Sequence, residues 1–151
     1  MVMKMIEVCD LANKIPNEEI KKVFDESLTA SAELDHSFLA FEEVYKGIVN
    51  FVPKHKIIVD LGCAYAFQAY YFKDYKQYIG IDCGFCSDSG RYKTANTIFY
   101  NMTIQDFCKK VIDENWNLND VFAICSYVPD NEARECVRKT FPNCLVYYPS
   151  S

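Results

Sequence analysis

From residue 56 onward, short apolar runs rich in β-branched residues alternate with amphipathic stretches. This alternation constrains the fold of the chain more than any other feature. Lys56–Gly62 is a β-branched run closed by glycine, the pattern of a strand buried on both faces. Ala66–Phe72 reads as a short helical stretch, Tyr78–Asp82 as a second strand and Thr97–Tyr100 as a third. Thr103–Asn115 is amphipathic through Ile104, Phe107, Val111 and Ile112. Val121–Cys125 is a fourth strand, Asp130 caps a helix running to about Thr140, and Cys144–Tyr148 is a fifth strand. Residues 83–95 hold Gly, Ser, Asp and Lys and read as a loop with at most one helical turn. Strands joined by helices imply parallel β-α-β units with right-handed crossovers. The expected class is therefore α/β, with an open, mainly parallel sheet of about five strands flanked by helices.

Residues 1–53 read as helical. Pro16-Asn17-Glu18-Glu19 makes a helix start, with Asn17 as the cap and acids in the first turn. Ile20, Val23, Phe24 and Leu28 then share a face. A second helix begins near Ser37, carries Phe38, Phe41, Val44, Tyr45, Ile48, Val49 and Val52, and ends at Pro53. These stripes are packing surfaces, expected to cover the sheet. A length of 151 residues leaves no room for a second full core, so the chain reads as a single domain with a helical part, 1–53, and a sheet-bearing part, 54–151.

Composition narrows the partners. With a net charge of -5 and a pI near 5.0, the sixteen basic residues are scattered among twenty-one acidic ones. That balance argues against a surface gripping nucleic acid through clustered Lys and Arg. No apolar run approaches the roughly 20 residues that span a bilayer, and residues 1–10 lack the apolar core of a secretory signal. A cytoplasmic protein with no membrane partner is expected. The eight cysteines fall within apolar runs and helices, as small core residues with free thiols. Their one close pair, Cys83 and Cys86, lacks the second pair or spaced histidines of a structural zinc site, so no metal is expected.

In open α/β sheets, ligands sit outside the carboxyl ends of the strands, beside the first. The loop there runs from Val59 through Asp60, Leu61, Gly62, Cys63, Ala64 and Tyr65 to Ala66 and Phe67. Small residues at 62, 64 and 66 let a ligand approach the backbone. Asp82 follows Asp60 by 22 residues and ends the second strand, where a carboxylate can accept from two ribose hydroxyls. A dinucleotide loop of the G-x-G-x-x-G type would place Phe67 in the last glycine position, a poor match.

The series Asp60, Gly62, Ala64, Ala66 resembles motif I of the class I S-adenosylmethionine-dependent methyltransferases, and Asp82 resembles their ribose-binding acid. The resemblance runs in order from about Ile57 to Tyr148. It implies a Rossmann-like sheet in the strand order 3-2-1-4-5 and S-adenosylmethionine as cofactor. It also implies that Asp60, Gly62, Cys63, Ala64 and Asp82 bind the cofactor, with Asp106 (or Thr103) on the adenine side and Ser126 after the fourth strand. Tyr65 and Tyr127 are the substrate-facing candidates, and no catalytic acid–base residue is implied. The acceptor is unidentified, with a small molecule or protein favoured over nucleic acid. The family's closing hairpin has no counterpart after the fifth strand, and an open edge there would be covered by a second copy, by the N-terminal helices or by residues beyond Ser151.

Other readings stay open beside this one. Asp60 alternatively caps the following helix, Asp82 alternatively forms a turn, and Ser126 and Asp130 alternatively start a helix. Alanine stands at 64 and 66 where the family usually has glycine, which costs about 1 kcal/mol or more at a positive φ. A degenerate, methyltransferase-like module that binds cofactor or a protein partner is thus one alternative, and a nicotinamide-nucleotide-binding protein another.

Overall fold

The computed structural model describes residues 45–83, 91–126 and 128–148. The chain divides into two compact units, residues 1–51 with 149–151, and residues 52–148. Within the first, residues 45–51 are helical, with Tyr45 and Ile48 buried and Phe51 exposed. The helix stops ahead of Pro53, whose ring disfavours helical backbone in the residue before it. The helix start at Asn17 and the stripes up to Val44 lie outside the described residues.

The second unit is a five-stranded parallel sheet in the order β3-β2-β1-β4-β5. Its strands are β1 (Ile57–Leu61), β2 (Gln77–Asp82), β3 (Thr97–Asn101), β4 (Val121–Ser126) and β5 (Cys144–Tyr147). Each expected strand is present, shifted by one residue at some ends. The expected class and order are both found, and β3 and β5 form the edges.

Two helices follow the third and fourth strands. Helix α1 (Ile104–Asp113) starts at Thr103, whose hydroxyl accepts the Asp106 N–H at 3.0 Å. It ends two residues short of the expected Asn115, because Asn115 takes a left-handed conformation (φ 56°). The amides of Asn115 and Trp116 donate to the carbonyls of Ile112 and Val111, each at 3.0 Å, and so close the helix in a Schellman turn. The Trp116 ring then packs edge-on against Phe107 at 5.5 Å. Helix α2 (Asn131–Thr140) is capped by Asp130, whose carboxylate accepts the N–H groups of Glu132 at 2.9 Å and Ala133 at 3.4 Å.

The strand register gives the sheet two chemically different faces. On one, Val59, Leu61, Ile79, Ile81, Val121, Ala123 and Cys125 pack with Phe107 and Val111 of α1 and Ala133 and Val137 of α2 in an apolar core. On the other, Ile58, Asp60, Tyr78, Gly80 and Ile124 stand side by side. Gly80 admits its neighbours here: a β-carbon at this position would lie 2.6 Å from the Phe99 ring and 2.9 Å from the Cys63 sulfur. Phe72 stacks on Tyr78 at 6.0 Å and meets Tyr75 edge-on at 5.2 Å.

The stretch Phe67–Phe72 is helical as expected, but of the tighter 3-10 form. Ala66, at its N-cap, is left-handed (φ 61°), and the cap makes no side-chain hydrogen bond. Asn96 secures the far end, donating at 2.9 Å to the carbonyls of both Phe72 and Tyr75.

Candidate functional site

The carboxyl ends of β1, β2 and β4 bring together most of the residues singled out above. The loop leaving β1 folds back over β2, where the amides of Gly62 and Cys63 both donate to the Ile81 carbonyl, at 2.7 and 3.0 Å. Gly62, Ala64 and Ala66 all take positive φ values, 87°, 50° and 61°. The backbone therefore follows a glycine-type path although two of the three positions carry a methyl group. Left-handed backbone costs a non-glycine residue roughly 1–2 kcal/mol, so contacts around the loop must hold it there.

Those contacts are specific. Asp82, at the end of β2, accepts the Ala64 N–H on one carboxylate oxygen and the Cys83 N–H on the other, each at 2.8 Å. A carboxylate oxygen can accept two hydrogen bonds, so both retain acceptor capacity. The Ala64 carbonyl accepts from the Arg91 guanidinium at 3.2 Å, and the Tyr65 carbonyl accepts the Tyr92 N–H at 2.8 Å. Arg91 is 4% exposed, donates to the Asn101 side chain at 2.8 Å and lies 5.4 Å from the centre of the Phe99 ring. In the sequence it falls within the 83–95 loop. Only its long stem and charge amid small polar residues marked it.

Asp60 is 0% exposed. One carboxylate oxygen accepts from the Tyr78 hydroxyl and, at 2.6 Å, from the Gln68 side-chain amide. Gln68 also donates to the Cys63 carbonyl at 3.1 Å. The chain Tyr78–Asp60–Gln68–Cys63 thus ties the buried acid to the turn of the loop. Neither Gln68 nor Tyr78 was singled out in the sequence, because their pairing depends on the β1–β2 register.

Across the site, β4 ends at Ser126, which is 3% exposed and whose hydroxyl has no hydrogen-bond partner among the described residues. The pairing of Leu61 with Cys125 sets Ser126 alongside Gly62. A buried unpaired hydroxyl costs on the order of 1–3 kcal/mol, which a bound polar group would recover. Next to it, burial and then the nearby Asp60 carboxyl push the Cys125 thiol up to about 12. Val128 follows, and one of its methyl groups stands 2.7 Å from where a β-carbon on Gly62 would sit. Glycine is therefore required at 62 by its φ and by its neighbour together.

The remaining candidates are placed less centrally. Thr103 is committed to capping α1, and Asp106 lies exposed in the first turn. The Met102 N–H donates to the Asp82 carbonyl at 3.1 Å and sets this stretch beside the end of β2. Tyr65 is half-buried, its ring 5.8 Å from Phe67. Tyr127 and Cys86 lie outside the described residues. No helix among the described residues is long and apolar enough to cross a membrane.

No protein-family model matches the chain, and no curated protein matches it either. Among solved structures, a candidate SAM-dependent methyltransferase from Streptococcus mutans superposes with a TM-score of 0.51 at 11% identity, over 68% of this chain and 31% of its own. The fold is that of the class I methyltransferases. A candidate type II methyltransferase from Anaeromyxobacter dehalogenans gives a TM-score of 0.47 at 11% identity, over 66% of this chain and 42% of its own. The chain spans less than half the length of either structure. The Gly62–Ala66 loop leaves β1 where the strand order reverses, and Asp82 ends the neighbouring strand β2.

Proposed function

We propose that the protein binds S-adenosylmethionine at the ends of β1, β2 and β4 and transfers its methyl group to a small-molecule or protein acceptor. The observation that carries this reading is the joint geometry of Asp82 and the loop. The carboxylate at the end of β2 is held by two backbone amides with acceptor capacity to spare, beside a loop keeping three left-handed residues at 62, 64 and 66.

The residues present fit the cofactor. Asp82 would accept from the ribose hydroxyls, and the Gly62–Ala66 backbone would lie under the methionine end. The Ser126 hydroxyl, without a partner among the described residues, supplies a donor or acceptor at the same end of the sheet. Asp60 is taken up by Tyr78 and Gln68, so its part is to hold the loop through Gln68 and Cys63. The bound cofactor supplies an electrophilic methyl group. The protein's task is then mainly to align an acceptor, with Tyr65 and Tyr127 as the candidates facing it. Asp106, exposed on α1, is left an outer position on the adenine side.

The methyl groups of Ala64 and Ala66 favour a second reading, in which the site binds cofactor without turnover or has become a protein-binding module. Calorimetric titration with S-adenosylhomocysteine, with NAD as control, tests the first reading. Micromolar binding that Asp82→Ala abolishes supports a cofactor site. Absence of heat and of thermal stabilisation at millimolar ligand overturns it.

A further inference from the structure

We infer that Arg134 is a positioning residue that clamps the loop after β4 onto the glycine of the cofactor loop, with Val128 as the point of contact. This rests on the reading of that loop as a cofactor site. Arg134 lies in the second turn of α2 and donates to the Val128 carbonyl at 2.6 Å and to the Asn131 side chain at 3.2 Å. Its guanidinium also stacks 4.6 Å from the centre of the Tyr148 ring, just beyond β5. Two donors and a ring face fix a planar, always-charged group in one orientation, which a lysine at this position would not reproduce.

The carbonyl held in this way belongs to the residue whose side chain fills the space above Gly62. The next anchor is Asp130, which caps α2 and accepts from the Gln105 side chain of α1 at 3.3 Å. Residues 128–130 are thereby pinned from α1, from α2 and through Tyr148, so the height of Val128 over Gly62 is set from outside the cofactor loop. Room above Gly62 limits what lies over the methionine end and leaves the ribose contact at Asp82 untouched. The clamp therefore sets specificity at one end of the ligand only.

Two measurements test this on the full chain. Amide hydrogen exchange in the free protein reads the mechanical link. Arg134→Met is expected to speed exchange at residues 62–66 roughly tenfold, about the effect of losing a charge-assisted hydrogen bond. Exchange in β2 and β3 should not change. Arg134→Lys should recover part of the protection, and Arg138→Ala, one turn along the same helix and paired with Glu135, should have no effect. Unchanged exchange at 62–66 in Arg134→Met overturns the clamp, as does a uniform rise across the sheet.

Ligand binding reads the specificity. Val128→Ala and Arg134→Met should alter the affinity for S-adenosylhomocysteine by roughly tenfold or more while leaving that for adenosine, which lacks the methionine end, within about twofold. Equal changes for both ligands would falsify the one-ended role. If the wild-type protein binds neither ligand, the cofactor reading fails, and the clamp stands or falls on the exchange pattern alone.

Discussion

The carboxylate of Asp82 accepts the backbone N–H of Ala64 at 2.8 Å, joining the end of the second strand to the loop that leaves the first. The residues are 18 positions apart, and the bond exists only because β1 and β2 lie side by side in parallel register. One side chain thereby serves the loop's conformation and the expected ribose contact together.

Substitution at Asp82 should separate these roles. Asp82→Asn keeps an acceptor oxygen for the Ala64 amide but weakens it, and should cost about 1 kcal/mol of stability; Asp82→Ala should cost about 1–3 kcal/mol. Urea denaturation measures both. Binding of S-adenosylhomocysteine should fall more steeply than stability in both variants, and a parallel fall would assign Asp82 to the loop alone.

Ala64 and Ala66 invert the usual cost of glycine. At ordinary backbone angles an alanine-to-glycine change destabilises, whereas at φ 50° and 61° glycine relieves steric strain. Ala64→Gly and Ala66→Gly should each leave stability unchanged or raise it by up to about 1 kcal/mol. Ala69→Gly, in the buried part of the 3-10 helix, should lower it. Thermal melts of the three variants decide the matter, and losses of similar size in all three would show that the methyl groups make contacts outweighing the strain.

Tyr78→Phe removes one donor from a carboxyl that is wholly shielded from water. Leaving a buried carboxyl short of a partner should destabilise by about 2–3 kcal/mol, more than the same change at an exposed tyrosine. Gln68→Ala should combine a similar loss with looser packing of the Cys63 turn. Equilibrium unfolding in guanidinium checks the magnitudes, and a Tyr78→Phe protein as stable as wild type would mean the Asp60 carboxyl is satisfied elsewhere.

Cys125 gives a pH-dependent signature. Its folded thiol is raised to about 12, above its ordinary value of 9.0, chiefly by burial and next by Asp60. Below pH 9 both folded and unfolded states keep the proton, so the contribution to stability is fully present. As pH rises from about 9 towards 12 the unfolded thiol ionises first, and stability declines. Stability should fall less steeply over this range in Cys125→Ala, once the cost of the smaller side chain is subtracted. Iodoacetamide at pH 8 should label exposed Cys83 quickly and leave Cys125 unmodified until the protein unfolds.

Much of the fold was legible because each strand carries its own apolar run, α1 carries an amphipathic stripe and α2 carries a visible cap, Asp130. The helix end at Asp113 was harder to place, since the amphipathic pattern continues to Asn115 and only the left-handed turn of that residue stops it. The placement of Asp60, Gly62, Ala64 and Asp82 at the ends of β1 and β2 was readable from spacing along the chain. Gln68, Tyr78, Arg91 and Arg134 were not, for each acts on a residue distant in sequence or through a backbone carbonyl, which leaves no periodic trace.

The left-handed alanines have one more consequence. A loop of glycines samples many shapes and must be ordered by whatever docks on it, whereas this loop carries two residues that resist their conformation and is held to it by Ile81, Asp82, Arg91 and Tyr92. The entropy of ordering it is spent during folding. A docking molecule meets a preorganised surface, so association should show little induced fit, and affinity should depend on shape match more than on loop closure.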